Sequence, residues 1–419
     1  MRIDISIKGY REIVCEDPYR EVWNQLHYFT DVASVNSKIR ERLGLEKGEH
    51  EGNTKKQARQ ITYSITQAEN YFRAAQEVDI SVKPNLIYYG ISALANTVIL
   101  YNNDGKFSLD YLRDKKQEQH HGLEKKFDLK EDGSAEEIVE GISCKIYRRP
   151  EKPKGQEKPY GHFKNFYNSI VRECIFLERT ISFDRSIGKR LSGRPFSPMP
   201  YDWLLNMEVM KSADKKRIGD LVETNLDLLT IFKFLPDMVE QLADNEMKSN
   251  LFPGSIAHTT HIIEQDQDGK NQVEDQQNYG QTKFYISKLS VEEKEYFKKV
   301  SLQDKSTELK KEYPANLYFL NDSRLKSDIN YLPDMTQDLF GKVYFIYQVE
   351  EYIQELANLY ICFFCTGMLC RYYPDYWMRW LEKSVGFKHL MDSLCSVAIR
   401  KFPNLILNQL TQCINHFHL

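Results

Sequence analysis

The segment PNLIYYGISALANTVILY, residues 84–101, carries no charged side chain. A helix that is apolar around most of its circumference has to be enclosed by the rest of the protein. Pro84 stands where its fixed φ and missing N–H suit a first helical turn, and Gly90, Ala93 and Ala95 would let another helix approach closely. Just upstream, Ala58, Ile61, Ile65, Ala68, Tyr71, Phe72 and Ala75 recur at three- and four-residue spacing behind Thr54 as cap, which predicts a helix over 54–78. The two helices are expected to form an antiparallel hairpin at the centre of a first domain.

The remainder reads as more helices broken by punctuated segments. Asp17-Pro18 is a cap and first-turn pair for a helix with Val22, Trp23, Leu26 and Phe29 on one side, after a short strand at Arg2–Ile7. RRPEKPKGQEKPYG reads as a linker, with a boundary near residue 155. A helix is expected between Phe163 and Leu177, and helical periodicity again from Asp202 to Asp244. SIAHTTHIIEQ, TKFYISKLS and NLYFLND show the β-branched and aromatic alternation of a small sheet. After Pro333 the chain is helical again, with DLFGKVYFIYQVEEYIQELANLYICFFCTGMLCRYY as its longest element, a new helix at Pro374 and a stop and restart at KFPN. The expectation is a mainly α protein in three parts: an N-terminal helical domain (1–155), a middle region with a basic loop and a small β insertion (156–332), and a C-terminal helical domain (333–419).

A hydrophobic fraction of 41% against 28% charged residues supports a packed core and not disorder. The net charge of −3 selects no partner class, so any nucleic-acid surface must come from local clusters. Eight scattered cysteines and an N-terminus without the apolar core of a signal peptide point to reduced thiols in the cytoplasm. Leu356–Cys370 is uncharged over 15 residues, short of the roughly 20 that a membrane-spanning helix needs. A buried core helix and no membrane contact are expected.

Two stretches resemble the YaaC-like family: ENYFRAAQEVDISVKPNLIYYGISALANTVIL with HHGL beyond it, and MLCRYYPDYWMRWL with the later KFPNLILNQL. GHFKNFY and Leu235–Asp237 are weaker intermediate matches, whereas residues 183–194 and 265–280 look like additions. The resemblance implies a cytoplasmic prokaryotic protein and carries over no activity. The first hairpin is also similar to HEPN-type helical modules, many of them ribonucleases or nucleotide-binding modules of toxin and antiphage systems.

HEPN ribonucleases pair an arginine with a histidine a few residues on, because RNA cleavage without a metal needs a base at the 2′-hydroxyl and a cation at the phosphate. Arg113, Asp114 and His120 fit this spacing, and His121 lies beside them; Arg20 and His27 have the same spacing with Glu21 in the polar place. The bland reading of Arg113 and the histidines is a solvated charged turn. Arg185, Lys189, Arg190 and Arg194, interleaved with Phe183 and Phe196, are the nucleic-acid-binding candidates, against a plain solvated loop. Cys362, Cys365 and Cys370 are expected as small buried hydrophobes, His258 and His261 lack a ligand pattern, and neither metal nor cofactor is expected. Arg371, Asp375 and Arg379 with their aromatic neighbours read as a packed corner between helices, Asp375 pairing with Arg379. The leading expectation is a nucleic-acid-directed component of a stress or phage-defence system, with an RNA-cleaving site at Arg113 and His120 or His121, preferably duplicated across a homodimer. The alternative is a non-catalytic protein that binds a partner protein.

Overall fold

The computed structural model describes residues 7, 9–104, 106–150, 157–171, 174–180, 206–212, 217–222, 224–261, 279–287, 289–301, 308–312, 317–322, 334–348 and 351–418. The chain divides into two units, one of residues 1–173, 214–249 and 351–419, the other of residues 174–213 and 250–350. The boundaries expected near 155 and 332, the basic residues 185–194 and the tract 265–278 lie outside the described residues.

In chain order, β1 (Gly9–Val14) is followed by α1 (Pro18–His27), α2 (Val32–Leu43), α3 (Glu51–Glu77), α4 (Lys83–Asn102) and the short α5 (Leu109–Arg113). A 3-10 turn at Lys116–Gln119 leads to β2 (Leu123–Phe127), α6 (Ala135–Glu140), β3 (Ile142–Ile146), β4 (Arg148–Pro150), β5 (Glu157–Pro159) and α7 (His162–Ser169). Then come β6 (Cys174–Thr180), β7 (Asn206–Ser212), β8 (Leu226–Asp227), α8 (Leu228–Phe232), α9 (Val239–Asp244), β9 (Leu251–His261) and β10 (Tyr279–Ser287). The rest is α10 (Val291–Ser301), β11 (Glu308–Glu312), β12 (Leu317–Asp322), β13 (Met335–Gln337), β14 (Val343–Ile346), α11 (Glu355–Tyr372), α12 (Pro374–Lys383), α13 (Val385–Thr411) and β15 (Cys413–His418). The chain is therefore mainly helical with small sheets.

The first unit is built around α4. Ile87, Ile91, Leu94 and Val98 are all fully buried, each such side chain contributing about 1.5–3 kcal/mol relative to exposure. The expected hairpin is present. A Cβ on Gly90 would stand 2.8 Å from the Phe72 ring, so only glycine lets α3 come this close. On another side, α11 approaches until a Cβ at Gly367 would meet the Tyr88 Cβ at 3.2 Å. Asp17 caps α1, its carboxylate accepting from the Arg20 amide at 3.1 Å, with Val22, Trp23, Leu26 and Phe29 buried. β1 and β15 pair in parallel from Gly9↔Cys413 to Val14↔His418.

Lys401 on α13 is buried and salt-bridged to Asp237 (2.5 Å) and Glu355 (2.7 Å). Both carboxylates are themselves nearly inaccessible, so the ammonium offsets a desolvation cost that neither acid could bear alone.

The second unit holds an antiparallel sheet in the order β11-β12-β10-β9-β14-β13 and the β6–β7 hairpin. Buried Phe252, Phe297 and Phe345 form its aromatic core, with Phe252 and Phe297 edge to face at 5.9 Å.

Several sequence expectations are corrected. α3 begins at Glu51 behind His50, and Thr54 is a buried helical residue whose hydroxyl donates to the Glu51 carbonyl at 3.2 Å. VYFI, expected as helix, is β14: its aromatic and β-branched residues pair with β9, and Gly341 at φ 80° supplies the preceding turn. The helix expected to Leu177 stops at Ser169, and the stretch from Asp202 includes β7 and only short helices. α13 passes through Pro403 without stopping, because Phe402 and Pro403 are buried and packing outweighs the lost backbone bond. The strand expected at Arg2–Ile7 falls on residues 1–6, which lie outside the described residues, and the first described strand is Gly9–Val14.

Candidate functional site

Two glycines cross backbone to backbone in the first unit. Gly122 has φ 85° and Gly161 φ 99°, values that side chains disfavour. A Cβ on Gly161 would lie 2.7 Å from the Cα and N of Gly122 and from the His120 carbonyl. Backbone bonds lock the crossing: the His162 amide donates to His120 O at 2.8 Å, and the Phe163 amide to His121 O at 2.9 Å. Glu118 reinforces it, accepting from the Gly161 amide at 3.1 Å and the Asn165 side chain at 2.9 Å, with Lys164 at 3.2 Å. Three histidines, two from HHGL and one from GHFKNFY, are thereby brought together.

His162 is only partly accessible, and both of its ring nitrogens are engaged. Nε2 meets Asn96 Oδ1 at 2.9 Å, and Nδ1 meets the Tyr360 hydroxyl at 2.7 Å. Burial, helped by the neighbouring His121, pushes its pKa down to about 4, so the ring is neutral near pH 7. Tyr360 is fully buried, stacked on Phe166 at 5.4 Å and tilted against Phe163 at 5.3 Å. Burial holds its hydroxyl well above the usual tyrosine range and raises that of Tyr88 to about 12. The Tyr88 and Tyr360 rings meet edge to face at 5.9 Å, with Ser92 on the same helix face as Tyr88. Tyr88 meets His121 Nδ1 at 2.8 Å. Tyr88, Ser92 and Asn96 are four residues apart on α4, so they share one stripe of that helix, beside the chain of contacts.

His121 keeps an exposed surface while its ring packs on Phe364 and Tyr88. Burial of its inner side lowers its pKa, and the charges of Arg371 and His120 lower it further. Arg371 donates to the Tyr89 hydroxyl at 2.8 Å and lies over the exposed Tyr372 ring at 5.0 Å. Lys125 adds a second cation, 2.6 Å from the Tyr373 hydroxyl. His120 is exposed, packs on Tyr147 at 4.6 Å and contacts Arg149 at 3.1 Å through Nε2. Each exposed histidine thus has an arginine in its surroundings.

Arg113, the arginine singled out by spacing, ion-pairs with Asp110 at 3.3 Å on exposed α5; no described contact joins it to His120 or His121. His27 pairs with the largely buried Glu69 at 2.8 Å, which also binds Arg73 at 2.7 Å, giving it a structural partner. Arg185, Lys189, Arg190 and Arg194 lie outside the described residues, as do the side chains of His258 and His261 on β9. Cys362 and Cys365 are buried in α11. Arg379 pairs with Glu131 at 3.0 Å in place of the expected Asp375, while Trp377 and Trp380 form the packed corner. Among the described residues no group of three or more His, Cys, Asp or Glu is placed to hold a metal ion, and no helix is long and apolar enough to cross a membrane.

Sequence reasoning missed His162, Tyr88, Tyr360 and Asn96. The usable signal was the i, i+4, i+8 placement of Tyr88, Ser92 and Asn96 in a helix of mostly apolar residues.

No curated protein and no solved structure matches this chain. The YaaC-like Protein family matches residues 27–139 and 206–410, which includes α3, α4, HHGL, α11 and KFPN, and leaves Gly161 and His162 between the two matched stretches. The chain belongs to the YaaC-like protein family.

Proposed function

We propose that this protein acts on RNA at His121 by metal-independent phosphodiester cleavage. The observation that carries the reading is an exposed histidine of lowered pKa, hydrogen-bonded to Tyr88 and lying in the field of Arg371. A neutral imidazole can take the proton of a ribose 2′-hydroxyl. The 2′-oxygen then attacks phosphorus, the bond to the 5′-oxygen breaks, and the leaving oxygen takes a proton from solvent. A 2′,3′-cyclic phosphate and a 5′-hydroxyl result. Arg371 and Arg149 are the cations for the phosphate, and Tyr372 offers an exposed ring for a base to stack on. Arg113 contributes at the rim, as a backbone contact.

The α3–α4 hairpin supports the HEPN-like comparison, and a homodimer would present the site twice. Free cysteines, four of them buried, fit a reducing cytoplasm and a place in prokaryotic stress or phage defence. The test is incubation of the purified protein with total RNA in EDTA, wild type beside His120→Ala/His121→Ala. Fragments with cyclic phosphate ends from wild type alone support cleavage. Identical products from both, or none, favour the non-catalytic partner-binding alternative.

A further inference from the structure

The contacts from α4 through α7 and α11 to His121 have a direction, fixed at their inner end. Asn96 Oδ1 only accepts hydrogen bonds, so His162 Nε2, 2.9 Å away, carries the ring proton. A neutral imidazole has one such proton. His162 Nδ1 must therefore accept, and the Tyr360 hydroxyl 2.7 Å away donates to it. With that proton committed, the Tyr360 oxygen can only accept from a neighbour, and Tyr88 is the hydroxyl-bearing ring packed edge to face against the Tyr360 ring at 5.9 Å. A Tyr88 hydroxyl turned toward Tyr360 presents a lone pair to His121 Nδ1 at 2.8 Å.

We propose that Asn96, His162, Tyr360 and Tyr88 are positioning residues that hold His121 as the Nδ1–H tautomer, leaving Nε2 as an unprotonated acceptor. The side chains that set the direction are buried or partly so: Tyr360 is 0% and Tyr88 4% exposed. Water therefore competes poorly for their hydroxyls. Mutual polarisation along such a chain strengthens each bond. The inference deepens the RNA-cleavage reading, because the outward nitrogen of a general base must be free to take a proton. It concerns the protein without RNA, so the two can fail separately.

The experiment is nitrogen-15 NMR of the protein labelled at histidine, the His121 signals assigned by their loss in His121→Gln. In the wild type near pH 7, Nδ1 is expected to be protonated and Nε2 unprotonated. Tyr360→Phe, which keeps the ring, and Asn96→Leu are expected to shift His121 toward the Nε2–H form. A wild-type proton on Nε2, the outcome if Asn96 presents its amide NH2 inward, overturns the proposal. An unchanged His121 pattern in both Tyr360→Phe and Asn96→Leu overturns it as well. The expected tautomer in a protein that leaves RNA intact removes the cleavage reading alone, and RNA cleavage by a protein with the proton on Nε2 removes the relay alone.

Discussion

Gly161 and Gly122 meet backbone to backbone, so near that a Cβ on the first would stand 2.7 Å from the Cα of the second. Nothing in that contact can give by a side-chain rotation. Gly161→Ala is therefore expected to lower stability by about 1–3 kcal/mol and to displace His121 and His162 together. Denaturant unfolding and the histidine NMR signals check this; wild-type stability would contradict it.

His162 ties stability to pH. Its folded value is pushed down to about 4, against 6.5 for a free histidine, chiefly by burial and then by His121. Between those values the unfolded chain binds a proton that the folded ring refuses, so stability is full above about 6.5 and falls as pH drops toward 4. The contribution is at most about 3 kcal/mol. His162→Gln is expected to be less stable at pH 7 and to have a flatter pH dependence over this window, read from urea unfolding at several pH values.

Lys401 compensates two buried acids. Lys401→Met removes the buried cation that Asp237 and Glu355 share, at an expected cost of about 3–5 kcal/mol near pH 7. Protonating the acids removes their charge, so the deficit relative to wild type should shrink on acidification. A variant as stable as wild type at pH 7 would show that the triad is not needed.

Arg371 and Arg113 separate the observed geometry from the spacing argument. Arg371→Gln is expected to weaken RNA binding and to reduce the slope of log affinity against log salt by about one. Arg113→Gln, at a residue already paired with Asp110, should change both less. Fluorescence anisotropy with a labelled RNA oligomer at several salt concentrations reads the difference, and the opposite ranking would return Arg113 to the centre of the site.

Local patterning made the scaffold legible. The spacing of Ile61, Ile65, Ala68 and Phe72, the uncharged run after Pro84 and the Asp17-Pro18 cap all correspond to observed helices. Elements decided by distant partners were harder to read. Val343–Ile346 is strand because β9 pairs with it, and α13 continues through Pro403 because its buried surroundings hold the helix together. His120 and His121 stood out by their spacing from Arg113, but His162 did not, since its place depends on two glycines 39 positions apart meeting in space. Asn96 and Tyr360 were concealed by lying in helices whose apolar character invites a core reading.

The most direct measurement compares a labelled RNA oligomer with its 2′-deoxy counterpart in EDTA. The wild-type protein is expected to cut only where a 2′-hydroxyl is present, leaving cyclic phosphate ends, and His121→Ala to be slower by about 10²–10⁴-fold. An RNA left intact by the wild type, or cut at the same rate by His121→Ala, would contradict the assignment of His121.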